Sequence, residues 1–123
     1  LLMNNTCLVL LAHGSKSPEW AAPFRKLTAD LRNDLGDEAV YLCFMEIAQP
    51  DLMATAREIM KTSVRKYRML PMFMAKGAHY HEDIPALIAE VKAAFPELEA
   101  ELLEPIGLNP LFFELMGKVI KSL

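Results

Sequence analysis

Leu70-Pro-Met-Phe-Met-Ala-Lys-Gly-Ala-His-Tyr-His-Glu-Asp-Ile-Pro85 passes from an apolar strand, through a glycine turn, into two histidines and two carboxylates, and then opens a helix. Two of the chain's three histidines, His79 and His81, fall in this run. The strand is predicted over Tyr67–Met74, with its pairing weakening near Pro71, because proline has no N–H to give to a ladder. Downstream, Asp83 is placed to cap a helix with Pro85 in its first turn, and Ile84, Leu87, Ile88, Val91 and Phe95 recur at helical spacing to form its buried face.

The third histidine ends another apolar run, Cys7-Leu-Val-Leu-Leu-Ala-His-Gly-Ser-Lys16. Thr6–Ala12 is continuously apolar, as a strand buried on both faces requires. Ser17 and Pro18 then suit the N-cap and first position of a helix striped by Trp20, Phe24, Leu27, Leu31 and Leu35, which Gly36 ends. Ala39–Met45 reads as a second strand closed by Glu46. Gln49-Pro50 leads into a helix carrying Leu52, Ala56, Ile59 and Met60. Leu98–Leu103 alternates with glutamates in the manner of a charged edge strand. Asn109-Pro110 caps a last helix striped by Phe112, Leu115, Met116, Val119, Ile120 and Leu123.

Strand and helix therefore alternate four times over residues 1–123, which are read as one domain. The expected architecture is three-layered α/β: a four-stranded, mainly parallel sheet with right-handed crossovers and helices on both faces, in the strand order 2-1-3-4. In such sheets ligands bind beyond the carboxyl ends of the strands, where the strand order reverses. That point lies between strands one and three. Topology thus brings His13, His79 and Glu46 to one rim, and two imidazoles with a carboxylate suit a borderline divalent ion such as cobalt, nickel, iron or zinc. Read singly, each residue has a plainer explanation: a loop histidine satisfied by backbone, or a solvated strand-end charge. The methionines Met45, Met69, Met72, Met74 and Met116 read as core packing.

Composition narrows the function classes. With 53% hydrophobic and 24% charged residues the 123-residue chain is not disordered. Its formal net charge of −3 and lack of a basic stripe exclude nucleic acid as a natural partner. No apolar run is long enough for a membrane helix, and the opening residues lack a basic leader with a separate apolar region, so neither membrane insertion nor a signal peptide is expected. Met3 as a native start preceded by two leftover residues is one reading of the opening, and Leu1 and Leu2 as native residues is the other. Cys7 and Cys43 form no C-x-x-C pair and read as buried free thiols of a cytoplasmic protein. Gly14 is the sole glycine after strand one, which rules out a dinucleotide fingerprint or a P-loop. Ala12 stands where a histidine phosphatase would place its phosphate-clamping arginine.

Leu11-Ala-His-Gly-Ser15, Phe44-Met-Glu-Ile-Ala-Gln-Pro50, Leu70-Pro-Met-Phe-Met74, Gly77-Ala-His79 with Asp83-Ile-Pro85, and Pro105-Ile-Gly-Leu-Asn-Pro110 resemble the sirohydrochlorin chelatases. The resemblance is strongest to the short single-domain cobaltochelatase form (CbiX-type), spans nearly the whole chain, and implies a class II chelatase fold, a flavodoxin-like α/β lobe. It implies insertion of Co²⁺, and in relatives Fe²⁺ or Ni²⁺, into sirohydrochlorin for cobalamin, sirohaem or related cofactors, with no cofactor beyond the substrate metal. It carries roles onto His13, His79 and Glu46 as metal ligands and catalytic groups, and onto no other position. His81 falls among variable positions and receives none. A one-lobed chain implies a homodimer that rebuilds the paired lobes of longer members.

Imidazoles titrate near neutrality, so either His13 or His79 can also accept a pyrrole proton, and Glu46 can take the second. Ser15, Lys16, Lys76 and the helix-start amides are candidate anchors for the macrocycle's carboxylates. The competing reading is a non-catalytic tetrapyrrole or metal carrier on the same lobe.

Overall fold

The computed structural model describes residues 5–78 and 80–123; Leu1–Asn4 and His79 lie outside the described residues, so the proposed start at Met3 and the position of the His79 side chain do too. The elements run β1 (Thr6–Ala12), α1 (Pro18–Leu35), β2 (Val40–Phe44), α2 (Leu52–Met60), β3 (Lys66–Pro71), α3 (Tyr80–Ala94), β4 (Glu99–Leu102), the 3-10 turn η1 (Ile106–Leu108) and α4 (Pro110–Ser122). The strands form one sheet in the order β2-β1-β3-β4, all parallel. The central strand β1 is almost wholly apolar and mostly buried, being flanked by β2 and β3 and covered on both faces.

Alternation along the strands divides the core. Cys7, Val9, Leu11, Cys43, Tyr67 and Met69 point to the face covered by Leu52, Ala56 and Ile59 of α2 and by Ile84 and Val91 of α3. Leu10, Ala12, Val40, Leu42 and Phe44 point the other way, onto Trp20, Ala21, Phe24 and Leu31 of α1. The period of two in the strands and the period near 3.6 in the helices make these two surfaces meet.

Several boundaries differ from the sequence expectation. β3 stops at Pro71, three residues short, because the proline ends the donor series; Met72 still gives its N–H to the Leu11 carbonyl at 2.8 Å. The helix after it begins at Tyr80, so Asp83 is not its cap. Glu82 and Asp83 instead place two negative charges in the first turn, where the helix dipole favours them, and Pro85 lies inside the helix. Ser17 occupies the N-cap of α1 but makes no side-chain cap; its own N–H bonds the Ser15 hydroxyl oxygen at 3.1 Å. Asp51 and Asn109 do cap, accepting from Ala54 and Leu111 at 2.8 and 2.9 Å. Leu27 and Leu35, read as part of the buried stripe of α1, are exposed.

Candidate functional site

Two backbone contacts carry the β1–β2 ladder past the strand ends. Met45 N–H bonds the Ala12 carbonyl at 2.9 Å and Glu46 N–H bonds the His13 carbonyl at 3.1 Å. His13 and Glu46 therefore stand side by side on the rim, as the topology predicts. The turn after Glu46 is tight. Ile47 adopts φ 69°, in the left-handed region that a β-branched residue rarely visits, and Ala48 N–H closes back on the Glu46 carbonyl at 2.7 Å. That carbonyl faces Gly14, whose φ is 114° and whose absent Cβ would lie 1.8 Å from it. Only glycine lets the loops after β1 and β2 approach this closely.

The β1–β3 register sets the other wall. Leu11 pairs with Pro71, so two residues further on His13 comes opposite Phe73 on the same side of the ladder. Their rings stack with centroids 4.0 Å apart and planes 16° from parallel. Phe73 in turn meets the edge of the Tyr80 ring at 6.3 Å.

A cleft of about 830 Å³ opens at this point, above the carboxyl ends of β1 and β3. Its walls are aromatic (Trp20, Phe24, Phe73, Tyr80) and thioether (Met45, Met72, Met74), and the imidazole of His13 and the carboxylates of Glu46 and Asp83 are among its described lining. That volume lies in the upper part of the range for small-molecule pockets, and a mostly apolar lining with a few convergent polar groups is the usual pattern of a ligand site. Among the described residues no group of three His, Cys, Asp or Glu side chains converges on one point.

The proposed carboxylate anchors are placed differently. Ser15 is occupied locally as the acceptor from Ser17 N–H, and Lys16 is exposed on the loop after His13. Lys76 is paired with Glu104 at 3.1 Å and lies 5.8 Å above the Tyr80 ring, outside the cleft lining. His81 is exposed on α3, edge-on to Tyr80 at 5.5 Å. Sequence reasoning missed Phe73, whose partner is fixed by the register of two strands distant in the chain.

It also missed the seat of the cleft wall. Gly107 of η1 gives its N–H to the Phe73 carbonyl at 3.0 Å, and a Cβ there would lie 2.0 Å from the Met74 carbonyl oxygen. The glycine within Pro105–Pro110 was the available sign, since a close backbone approach is what a glycine in a non-repetitive segment permits.

An open parallel α/β lobe with an aromatic cleft, an imidazole and a carboxylate at its topological switch point defines a ligand-binding protein of the doubly wound class. The comparisons make the assignment specific. The CbiX family profile matches residues 7–123, and the chain belongs to that family. It is 26% identical over 115 residues to a sirohydrochlorin cobaltochelatase of Sulfurisphaera tokodaii, covering 94% of this chain and 91% of that one. It is 22% identical over 114 residues to the chloroplastic sirohydrochlorin ferrochelatase of Arabidopsis thaliana, covering 93% of this chain but only 51% of that longer protein. Among solved structures, a CbiX protein from Marinobacter aquaeolei VT8 superposes with a TM-score of 0.85 at 31% identity, covering 95% and 93% of the two chains.

Proposed function

We propose that the chain is a sirohydrochlorin chelatase that inserts a divalent metal, foremost Co²⁺, into the macrocycle during tetrapyrrole biosynthesis leading to cobalamin or sirohaem. The observation that carries this reading is the 830 Å³ cleft with His13 and Glu46 side by side on its rim, in a chain of the CbiX family.

The chemistry follows from what insertion requires: a partly dehydrated ion, a planar macrocycle held against it, and removal of two pyrrole protons. The His13 and Glu46 side chains supply a nitrogen and an oxygen donor of the kinds that borderline divalent ions accept. His79 is assigned as the second imidazole ligand from its place in the sequence after β3. One imidazole or Glu46 accepts each departing proton. The aromatic and thioether walls suit a flat conjugated ring, and Asp83 on α3 can orient groups at the cleft floor. Ser15, Lys16 and Lys76 serve as carboxylate anchors, Lys76 after exchanging Glu104 for the substrate.

Two further readings belong here. The thiols Cys7 and Cys43 are free and buried, as in a reducing compartment, and we place the protein in the cytoplasm. No described helix is long and apolar enough to cross a membrane. The outward side of α4 exposes Leu111, Phe113, Leu115 and Ile120, a surface suited to pairing with a second copy.

Anaerobic absorbance of sirohydrochlorin with Co²⁺, Fe²⁺ or Ni²⁺, with and without protein, tests the function. Insertion well above the rate without protein is expected for Co²⁺, and its loss is expected in His13→Ala, His79→Ala and Glu46→Ala. Pigment binding without acceleration would instead identify a carrier.

A further inference from the structure

The His13 ring has no hydrogen-bond partner among the described residues, although its main chain is tied to β2 through Glu46 N–H. Histidines that hold metal ordinarily have their plane fixed by a bond from the second ring nitrogen to a carboxylate or carbonyl. Here a flat hydrocarbon face occupies the side of the ring, 4.0 Å away and within 16° of parallel.

That face is itself held from three directions. Phe73 is buried, with 7% of its surface exposed. Tyr80 meets it edge-on at an interplanar angle of 79°. Its carbonyl accepts the Gly107 N–H at 3.0 Å, and the segment that follows is pressed against a glycine that no other residue can replace without displacing Met74. The imidazole is exposed, so without the stack its ring would be free to turn about χ2.

We propose that Phe73 is a positioning residue: its stacked ring fixes the plane of the His13 imidazole, so that a ring nitrogen is presented edge-on to the substrate metal in the cleft. The inference rests on the chelatase reading and adds to it a residue that touches neither metal nor proton. A ring held in plane meets the ion without first losing its freedom of rotation. Stacked aromatic pairs hold geometry strongly enough that losing one should cost roughly threefold to tenfold in a property that depends on it.

The test compares Phe73→Leu, which keeps apolar bulk but removes the flat face, with Phe73→Tyr, which keeps the face. Phe73→Leu should lower kcat for Co²⁺ insertion roughly threefold to tenfold and weaken Co²⁺ binding to the protein alone by a similar factor. Phe73→Tyr should restore most of both. In the nuclear magnetic resonance spectrum of the wild type, the His13 ring protons should be shifted upfield by the phenyl ring current, and that shift should vanish in Phe73→Leu. Equal impairment of the two variants, wild-type kcat in Phe73→Leu, or no ring-current shift in the wild type would each overturn the proposal. His13→Ala separates the two levels. Full turnover in that variant would overturn the site reading itself, whereas its inactivity beside an unimpaired Phe73→Leu would overturn only the positioning role.

Discussion

Tyr67 shows how far burial can outweigh polarity at a single position. Its ring lies fully inside the sheet face covered by α2 and α3, and its hydroxyl has no hydrogen-bond partner among the described residues. Burial pushes its pKa up to about 12, with Cys43 and Cys7 adding to the rise. The same desolvation lifts the Cys7 and Cys43 thiols from 9.0 to about 12. Folding therefore keeps on these groups protons that the unfolded chain releases. Their contribution to stability is fully present below pH 9 and is lost as pH rises towards about 12. Denaturant midpoints should fall across that window, and Cys43→Ala should give a shallower fall; an unchanged slope in the variant would show that the thiol is not responsible. The two cysteines were legible in the sequence as buried free thiols, since each stands in an unbroken apolar run. The solitary hydroxyl was not, because only the register of β1 against β3 decides what surrounds it.

Among the elements, η1 has the largest effect for its three residues. It joins the edge strand β4 to α4 and at the same time props the loop that bears Phe73 and Met74. Gly107→Ala would drive a methyl group into the Met74 backbone, 2.0 Å from its carbonyl oxygen. The expected cost is about 1–3 kcal/mol of stability, together with a loss of chelation larger than that destabilisation explains, measured as insertion rate under conditions where the variant is fully folded. The strands, their order and most helix ends could be read from the chain: continuous apolar runs, Gly36 after α1 and Asn109 before α4 are local signals. The start of α3 could not. Asp83 and Pro85 are good first-turn residues, but the helix gains another turn from Tyr80, whose side chain packs into the core and whose N–H meets the Gly77 carbonyl at 3.2 Å. Tertiary burial extended an element that local chemistry would have begun later.

At the scale of the molecule, α4 is the anomaly. It has the apolar periodicity of a core helix, yet none of its residues is buried, and its main packing partner is η1. The sequence pattern foretold an apolar stripe but could not say whether this chain or another covers it. If a second copy does, sedimentation should give a dimer mass, and Phe113→Glu with Ile120→Lys should reduce it to the monomer while secondary structure is kept. A wild type that sediments as a monomer at micromolar concentration would refute the pairing. The rim residues His13 and Glu46 were foreseeable because topology alone brings strand ends together. The engagement of Lys76 with Glu104 was not, since it depends on where the chain passes after β4.

Met45, Met72 and Met74 soften the cleft wall so that it can fit an irregular guest, and Met74 is more than half exposed. The exposed sulfur of Met74, unlike those of Met45 and Met72 that pack against the core, is vulnerable to peroxide without cost to the fold. A single oxygen added to a thioether turns a yielding apolar contact into a polar, chiral one, and nothing in the sheet or its hydrogen bonds would register the change. Such a protein can be disabled by an oxidant while remaining fully folded, and a reductase acting on the sulfoxide would return it to work without new synthesis.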